Sequence, residues 1–225
     1  MNRKHLFGLV AGLVGVLALG FLSPLLLKRA SFFRVRRVEV VGARYLTGNE
    51  IVAGLKLARN ASLFDRVAPI ERAAIRIRGV RRASVRRRWP GTLVLRVEEI
   101  EPVALTPSRS GLALLDAGGR VLPYDPTRVP ADLPVVPADP LLARLVARVR
   151  ETEPGLFRAI VSASRQRQLV VFEAGDRRFL LRPDAGPAQL RALAAVIDDL
   201  ARKGRRYREL DARFTDRVFV RGKPS

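Results

Sequence analysis

The sequence predicts an α+β protein: a single N-terminal transmembrane helix, then a small β-α-α-β-β domain, then a mixed strand-rich β domain with helices packed on its sheet. Three observations carry this. Residues 6–27, LFGLVAGLVGVLALGFLSPLLL, hold no charge over 22 positions. From Arg34 to Ala104 the apolar period goes from two to about 3.6 and back to two. Beyond residue 105, hairpin signals alternate with amphipathic stretches.

As a helix the uncharged run reaches about 33 Å at about 1.5 Å per residue, enough to cross a bilayer. A cleaved signal peptide has a shorter apolar core ending at an A-x-A-like site, whereas Ala18-Leu19-Gly20 lies inside a run that continues past it. Arg3 and Lys4 precede the run, while Lys28, Arg29, Arg34, Arg36 and Arg37 follow it. By themselves these charges favour a cytoplasmic C-terminal domain, a rule that weakens when a long folded domain follows.

Val35, Val38, Val40 and Val41 among arginines predict a strand ended by Gly42. Thr47 and Glu50 are spaced as a capping box before the helical pattern Ile51, Val52, Leu55. Pro69 can open a second helix through Ile70, Ala73, Ala74 and Ile77, with Gly79 as its stop. In ASVRRRWPGTLVLRVEE, Leu93, Leu95 and Val97 share one strand face and Thr92, Val94, Arg96 and Glu98 the other. Before them Val85, Arg87 and Trp89 alternate with Ser84, Arg86 and Arg88, and Pro90-Gly91 marks a turn longer than two residues. The three arginines are the solvated side of a hairpin, because single-strand stacking platforms offer several aromatics and this stretch has one.

In the second domain GLALLDAGGRVLP predicts a hairpin turning at Ala117 to Gly119, and LVVFEAGDRRFLLRP another turning near Gly175. Leu142, Leu145, Val146 and Val149 form one helical face limited by Pro154. Pro187 can start a helix with Leu190, Leu193, Ala194, Ile197 and Leu200 on one face and Gly204 as its stop. The Pro-rich piece from Pro123 to Pro140 is expected to be a connecting loop.

The chain carries 42 Lys+Arg against 21 Asp+Glu, a net charge of +21 that suggests an acidic partner; five of the cations are lysines and the rest arginines. Cysteine is absent, which removes disulfides, thiolate nucleophiles and zinc-cysteine sites. The single histidine, His5, sits at the mouth of the apolar run, so neither a Ser-His-acid relay nor a two-histidine metal site can form in the folded part. Glu98-Glu99 on a strand and Asp198-Asp199 on a helix point their neighbours apart, and Asp116 and Asp125 occupy turn sequence. No Walker loop or dinucleotide fingerprint occurs. The expectation is a non-enzyme with no cofactor, no metal and no small-molecule substrate.

The order strand, helix, helix, strand, strand over Arg34 to Ala104 is that of a POTRA domain. A short tail, one membrane helix, FFRVRRVEVVGARYLTGNEI, RGVRRASVRRRWPGTLVLRVEEIEPVA and a C-terminal LDARFTDRVFVRG, in that order, resemble the FtsQ/DivIB family of bacterial cell-division proteins. The resemblance implies a cytoplasmic tail at residues 1–5, the membrane helix at 6–27, a linker at 28–33, a POTRA domain at 34–104, an FtsQ-type β domain at 105–221 and a tail at 222–225. It implies a single-pass type II protein of the cell membrane, the inner membrane where there are two, with its C-terminal domains outside the cytoplasm at the division septum. It further implies a divisome scaffold linking early division proteins to late septal peptidoglycan synthesis. Its partners would be FtsB/FtsL-type small bitopic proteins and, through them, septal peptidoglycan synthases, with membrane lipid around the anchor and no nucleic acid. The basic excess supports a different class, a membrane-tethered domain binding nucleic acid or anionic lipid. A reporter fused after Ser225 separates the two by topology.

In LDARFTDRVFVRG, Leu210, Ala212 and Phe214 are expected on one face of a strand, Thr215-Asp216 in a turn, and Val218 and Val220 on the apolar face of a final strand ending at Arg221. Phe219 then points to the opposite face. A terminal strand at a sheet edge invites β-augmentation, and Arg217 and Arg221 are charges placed to blunt it against self-pairing. By resemblance, the FtsB partner adds a strand here, with the position matching Phe214 and its neighbour Arg213 implicated. The expected partner site is Arg213, Phe214, Arg217, Val218, Phe219, Val220 and Arg221.

Overall fold

The computed structural model describes residues 33–222 except 110, 130, 131 and 215. The predicted membrane helix, residues 6–27, lies outside the described residues; among those described, no helix is long and apolar enough to cross a membrane. The chain divides into two compact units, the first ending at Glu99 and the second beginning at Ile100. Ala104, expected to end the first domain, instead opens a strand of the second unit.

The first unit is β1 (Arg37–Val41), α1 (Gly48–Leu55), α2 (Ala68–Ile75), β2 (Val80–Arg88) and β3 (Thr92–Glu99). β3 is central, parallel to β1 and antiparallel to β2. The Thr47 side chain accepts from the Glu50 N–H while the Glu50 carboxylate accepts from the Thr47 N–H at 2.6 Å, so two orphan donors of α1 are satisfied reciprocally. Leu93, Leu95 and Val97 are buried, as are Ile51, Leu55, Ala74 and Val85. Gly42 ends β1 at φ +92°, and a Cβ there would run into the Val97 carbonyl oxygen. Glu99, 6% exposed, accepts backbone N–H bonds from Arg44, Tyr45 and Leu46 at 2.7, 2.9 and 2.9 Å. The Glu99 carboxylate thus ties the loop after β1 to the end of β3. Arg86, Arg87 and Arg88 are exposed; Arg88 pairs with Glu39, and Arg87 donates to the Asp65 carbonyl at 2.9 Å.

The second unit contains β4 (Ala104–Ser108), β5 (Gly111–Leu115), β6 (Val121–Leu122), α3 (Pro140–Thr152), α4 (Pro154–Ala159), β7 (Ser162–Gln166), β8 (Leu169–Ala174), β9 (Arg177–Leu181), α5 (Pro187–Arg202), β10 (Glu209–Asp211) and β11 (Phe219–Arg221). One sheet runs β4-β5-β6 and the other β11-β10-β9-β8-β7. Val135, in the segment expected to be only a loop, joins them: it bridges in parallel to Leu105 of β4 and Ser162 of β7. Its N–H donates to the Val161 carbonyl at 2.9 Å, and Val136 donates to Leu105 at 2.7 Å. Pro154, expected only to limit α3, opens a further helix, whose Leu156 and Phe157 are buried. Leu142, Leu145, Val146 and Val149 of α3 and Leu190 and Leu193 of α5 share one core with Val170, Phe172, Phe179, Leu181 and Leu210 of the sheet.

Candidate partner-binding edge

β10 is parallel to β9 and antiparallel to β11, so the last strand stands at the rim of the five-stranded sheet. The register places Phe172, Phe179, Leu210 and Val220 in one row across β8 to β11. The first three are fully buried in the core, while Val220 is 46% exposed at the rim. One residue along, on the opposite face, Val171, Leu180, Asp211 and Phe219 form a second row. The predicted alternation holds: Phe219 and Val220 face opposite sides.

Two residues from that row, Glu173, Arg178, Glu209 and Arg221 align with alternating sign. Arg178 pairs with Glu173 at 3.5 Å and Arg221 with Glu209 at 3.0 Å. Arg221, expected as a charge guarding the edge, is therefore occupied with its cross-strand neighbour. Arg217 pairs with the adjacent Asp216 at 2.6 Å in the connector before β11 and does not belong to the strand. That contact holds the Asp216 carboxyl below its ordinary range and raises Arg217.

The expected strand face Leu210, Ala212, Phe214 is corrected by the structure. β10 stops at Asp211; Leu210 and Ala212 are buried, but Phe214 turns out to 47% exposure. The reason is the Asp211 carboxylate. Its side chain is 3% exposed, and it accepts from Arg213 Nε at 2.8 Å, Nη2 at 2.6 Å and the backbone N–H at 3.2 Å. This local ring turns the chain immediately after the strand. The hydrogen bond from Arg213 holds the Asp211 carboxyl below the ordinary carboxylate range, against the opposing effect of burial, and raises Arg213 in turn. Gln189 of α5 donates to the Ala212 carbonyl and, at 3.4 Å, to that of Phe214, fixing the path of the connector.

Phe214 and Phe219 meet edge to face, ring centroids 5.3 Å apart at 78°, and the Arg213 guanidinium lies 5.9 Å from the Phe214 ring. Each phenylalanine is 47% exposed, so the pair forms an apolar step beside β11. Val218 is half-buried and packs against the core, holding the root of the strand. The structure thus gathers Arg213, Phe214, Phe219, Val220 and Arg221 at one rim, while Val218 precedes β11 and packs half-buried against the core. Glu209, Asp211 and Gln189 complete the site and were not anticipated. Glu209 and Asp211 bracket Leu210 with period two, a trace visible in the sequence, whereas nothing near Gln189 announces its contact 23 residues away.

Among the described residues, no group of His, Cys, Asp and Glu could hold a metal ion.

The family model described as POTRA domain, FtsQ-type, matches residues 33–99. Cell division protein FtsQ of Rhodothermus marinus is 39% identical over 124 residues, which cover 54% of this chain and 41% of that protein. The match therefore spans less than half the length of this relative. The major extracytoplasmic domain of the trans isomer of the cell-division protein DivIB from Geobacillus stearothermophilus is similar at 20% identity and a TM-score of 0.35, over 47% of this chain and 97% of that one. The first unit's β-α-α-β-β order agrees with its match to the FtsQ-type POTRA domain, and over 124 residues the chain is similar to a curated cell division protein FtsQ.

Proposed function

We propose that the chain is a membrane-anchored scaffold of the division machinery and that FtsB/FtsL-type small bitopic proteins bind it by adding a strand to β11. The observation that carries this is the rim itself. β11 pairs with β10 on one side, no strand lies on its other side among the described residues, and Phe219 and Val220 stand half-exposed there. An added strand would satisfy the outward N–H and C=O groups, and the two aromatic rings would supply an anchor beside the ladder.

On this reading residues 6–27 span the cell membrane, the two units lie on the extracytoplasmic side at the septum, and the role is non-catalytic. The protein would connect early division proteins to the septal peptidoglycan synthases through its small bitopic partners. The match of the first unit to the FtsQ-type POTRA domain and the likeness to a curated FtsQ support the reading.

A photo-crosslinking residue at Val220 in dividing cells is expected to capture an FtsB- or FtsL-type protein, and the same residue at Val121, on the opposite edge strand β6, is not. Capture at Val121 alone overturns the assignment of the edge. A reporter after Ser225 active only in the cytoplasm overturns the scaffold reading and returns the protein to the nucleic-acid class.

A further inference from the structure

We propose that the end of the first unit carrying Trp89 docks on the anionic phospholipid surface of the membrane that anchors the chain; this rests on the reading of residues 6–27 as a membrane span. Phe33, Phe64 and Trp89 form a triad with all three ring pairs edge to face, centroids 5.1 to 5.5 Å apart. A triad that served only as a plug for the end of the sheet would be covered, yet Trp89 is 52% exposed.

The topology brings this triad to the end where the chain arrives. β1 runs parallel to β3 with Arg37 opposite Thr92, so the start of β1 and the turn between β2 and β3 lie at the same end. Arg36 and Arg37 donate backbone N–H bonds to the Gly91 carbonyl at 2.8 and 3.2 Å, and Leu63 donates to Phe33 at 2.9 Å. Phe33 is thereby fixed to the Trp89 turn. Five residues lie between it and Leu27, so six steps give a reach of at most about 22 Å at about 3.6 Å per residue. The headgroup layer on each side of a bilayer is about 5 to 8 Å thick, so the triad is held within reach of it.

Its chemistry suits that layer. Amphipathic aromatic rings settle at the headgroup level, and guanidinium groups bind phosphate. Arg34 follows Phe33 and Arg66 lies two residues after Phe64, both exposed, and Arg87 is exposed with its Nη2 on the Asp65 carbonyl. Asp65 is the acidic residue of this stretch, and its carboxylate accepts from the Ser62 N–H at 2.8 Å. The local balance is positive.

Trp89 is the only tryptophan, so the emission of the full chain reports from this spot. The full chain is reconstituted into vesicles of phosphatidylcholine with or without phosphatidylglycerol, their acyl chains brominated close to the headgroups. With phosphatidylglycerol present, Trp89 emission is expected to be quenched and shifted to shorter wavelength relative to detergent. The double variant Arg34→Gln/Arg66→Gln is expected to lower the docked population on the order of tenfold while still floating with the vesicles. Unquenched emission from a chain that floats overturns the proposal, and equal quenching without phosphatidylglycerol overturns the choice of an anionic surface. A chain that does not float overturns the membrane-span reading, and the proposal with it, by a result distinct from the other two.

Discussion

Phe219→Ala is the sharpest perturbation of the proposed edge. A phenylalanine buries about 150–250 Å² when fully covered. Phe219 is 47% exposed, so a partner strand that covered it would remove about 90 Å² from water, worth about 2 kcal/mol or roughly thirtyfold in affinity. The half already buried contributes to folding, as does the edge-to-face contact with Phe214, so the variant should also lose about 1 to 3 kcal/mol of stability in the second unit. The two effects separate by measurement. Titration of the purified chain with a fluorescent peptide from the partner's strand-adding segment gives the affinity, and urea unfolding followed by far-ultraviolet circular dichroism gives the stability. Phe214→Ala removes the ring packed on Phe219 but leaves the residues of β11 in place and should cost less affinity. Wild-type affinity for Phe219→Ala in a folded chain refutes the assignment, because the aromatic would then contribute nothing to the interface.

Three further outcomes follow from the packing. Glu99→Gln weakens a buried carboxylate that accepts three backbone N–H bonds and should cost the first unit about 1.5 to 3 kcal/mol, read as an earlier unfolding transition in Trp89 fluorescence. Gly42→Ala must place a Cβ against the Val97 carbonyl at φ +92° and should lower the same transition by about 1 to 3 kcal/mol; no change would show that the loop relaxes freely. Asp211 has a depressed folded pKa, so its contribution is fully present above about pH 4, the ordinary unfolded value, and is lost as pH falls through the folded one. Asp211→Asn should therefore be less stable than wild type at neutral pH, with the difference shrinking in acid; a constant difference would mean the pair does not titrate with folding.

The first unit was legible because its signals are local. The Thr47–Glu50 box lies within one turn of helix, Gly42 ends its strand by its own backbone conformation, and Leu93, Leu95 and Val97 alternate without interruption. The same holds for α5, which begins at Pro187 and carries its apolar face at helical spacing. The sequence concealed what is decided by partners far along the chain. Ser162–Gln166 has one buried apolar side chain, Ala163, and is a strand because β8 pairs with it on one side and Val135 on the other. Phe214 follows the period of Leu210 and Ala212, yet the Asp211–Arg213 ring breaks the strand before reaching it. Alternation records which face a residue would take if the strand continued; it does not record where a side chain captures the backbone and ends the strand.

The length of the rim strand bears on how a partner could hold it. β11 has three residues and β6, at the end of the other sheet, has two. Edges this short offer little template for self-pairing, which protects the free protein even though Arg221 is engaged with Glu209 and Arg217 with Asp216. The same shortness limits an added strand to a few ladder hydrogen bonds, each worth about 1 kcal/mol net. Such a ladder can fix register but cannot by itself offset the loss of freedom on association. Affinity must then come from side chains beside the ladder, and the exposed apolar groups at this rim are Phe214, Phe219 and Val220. A partner segment suited to it would place apolar residues against the two rings. It would set an acidic residue near Arg213 or Arg221, competing with Asp211 or Glu209 for the guanidinium. Reversing that charge in the partner should weaken binding more in low salt than in high salt, whereas replacing its apolar residues should weaken binding equally in both.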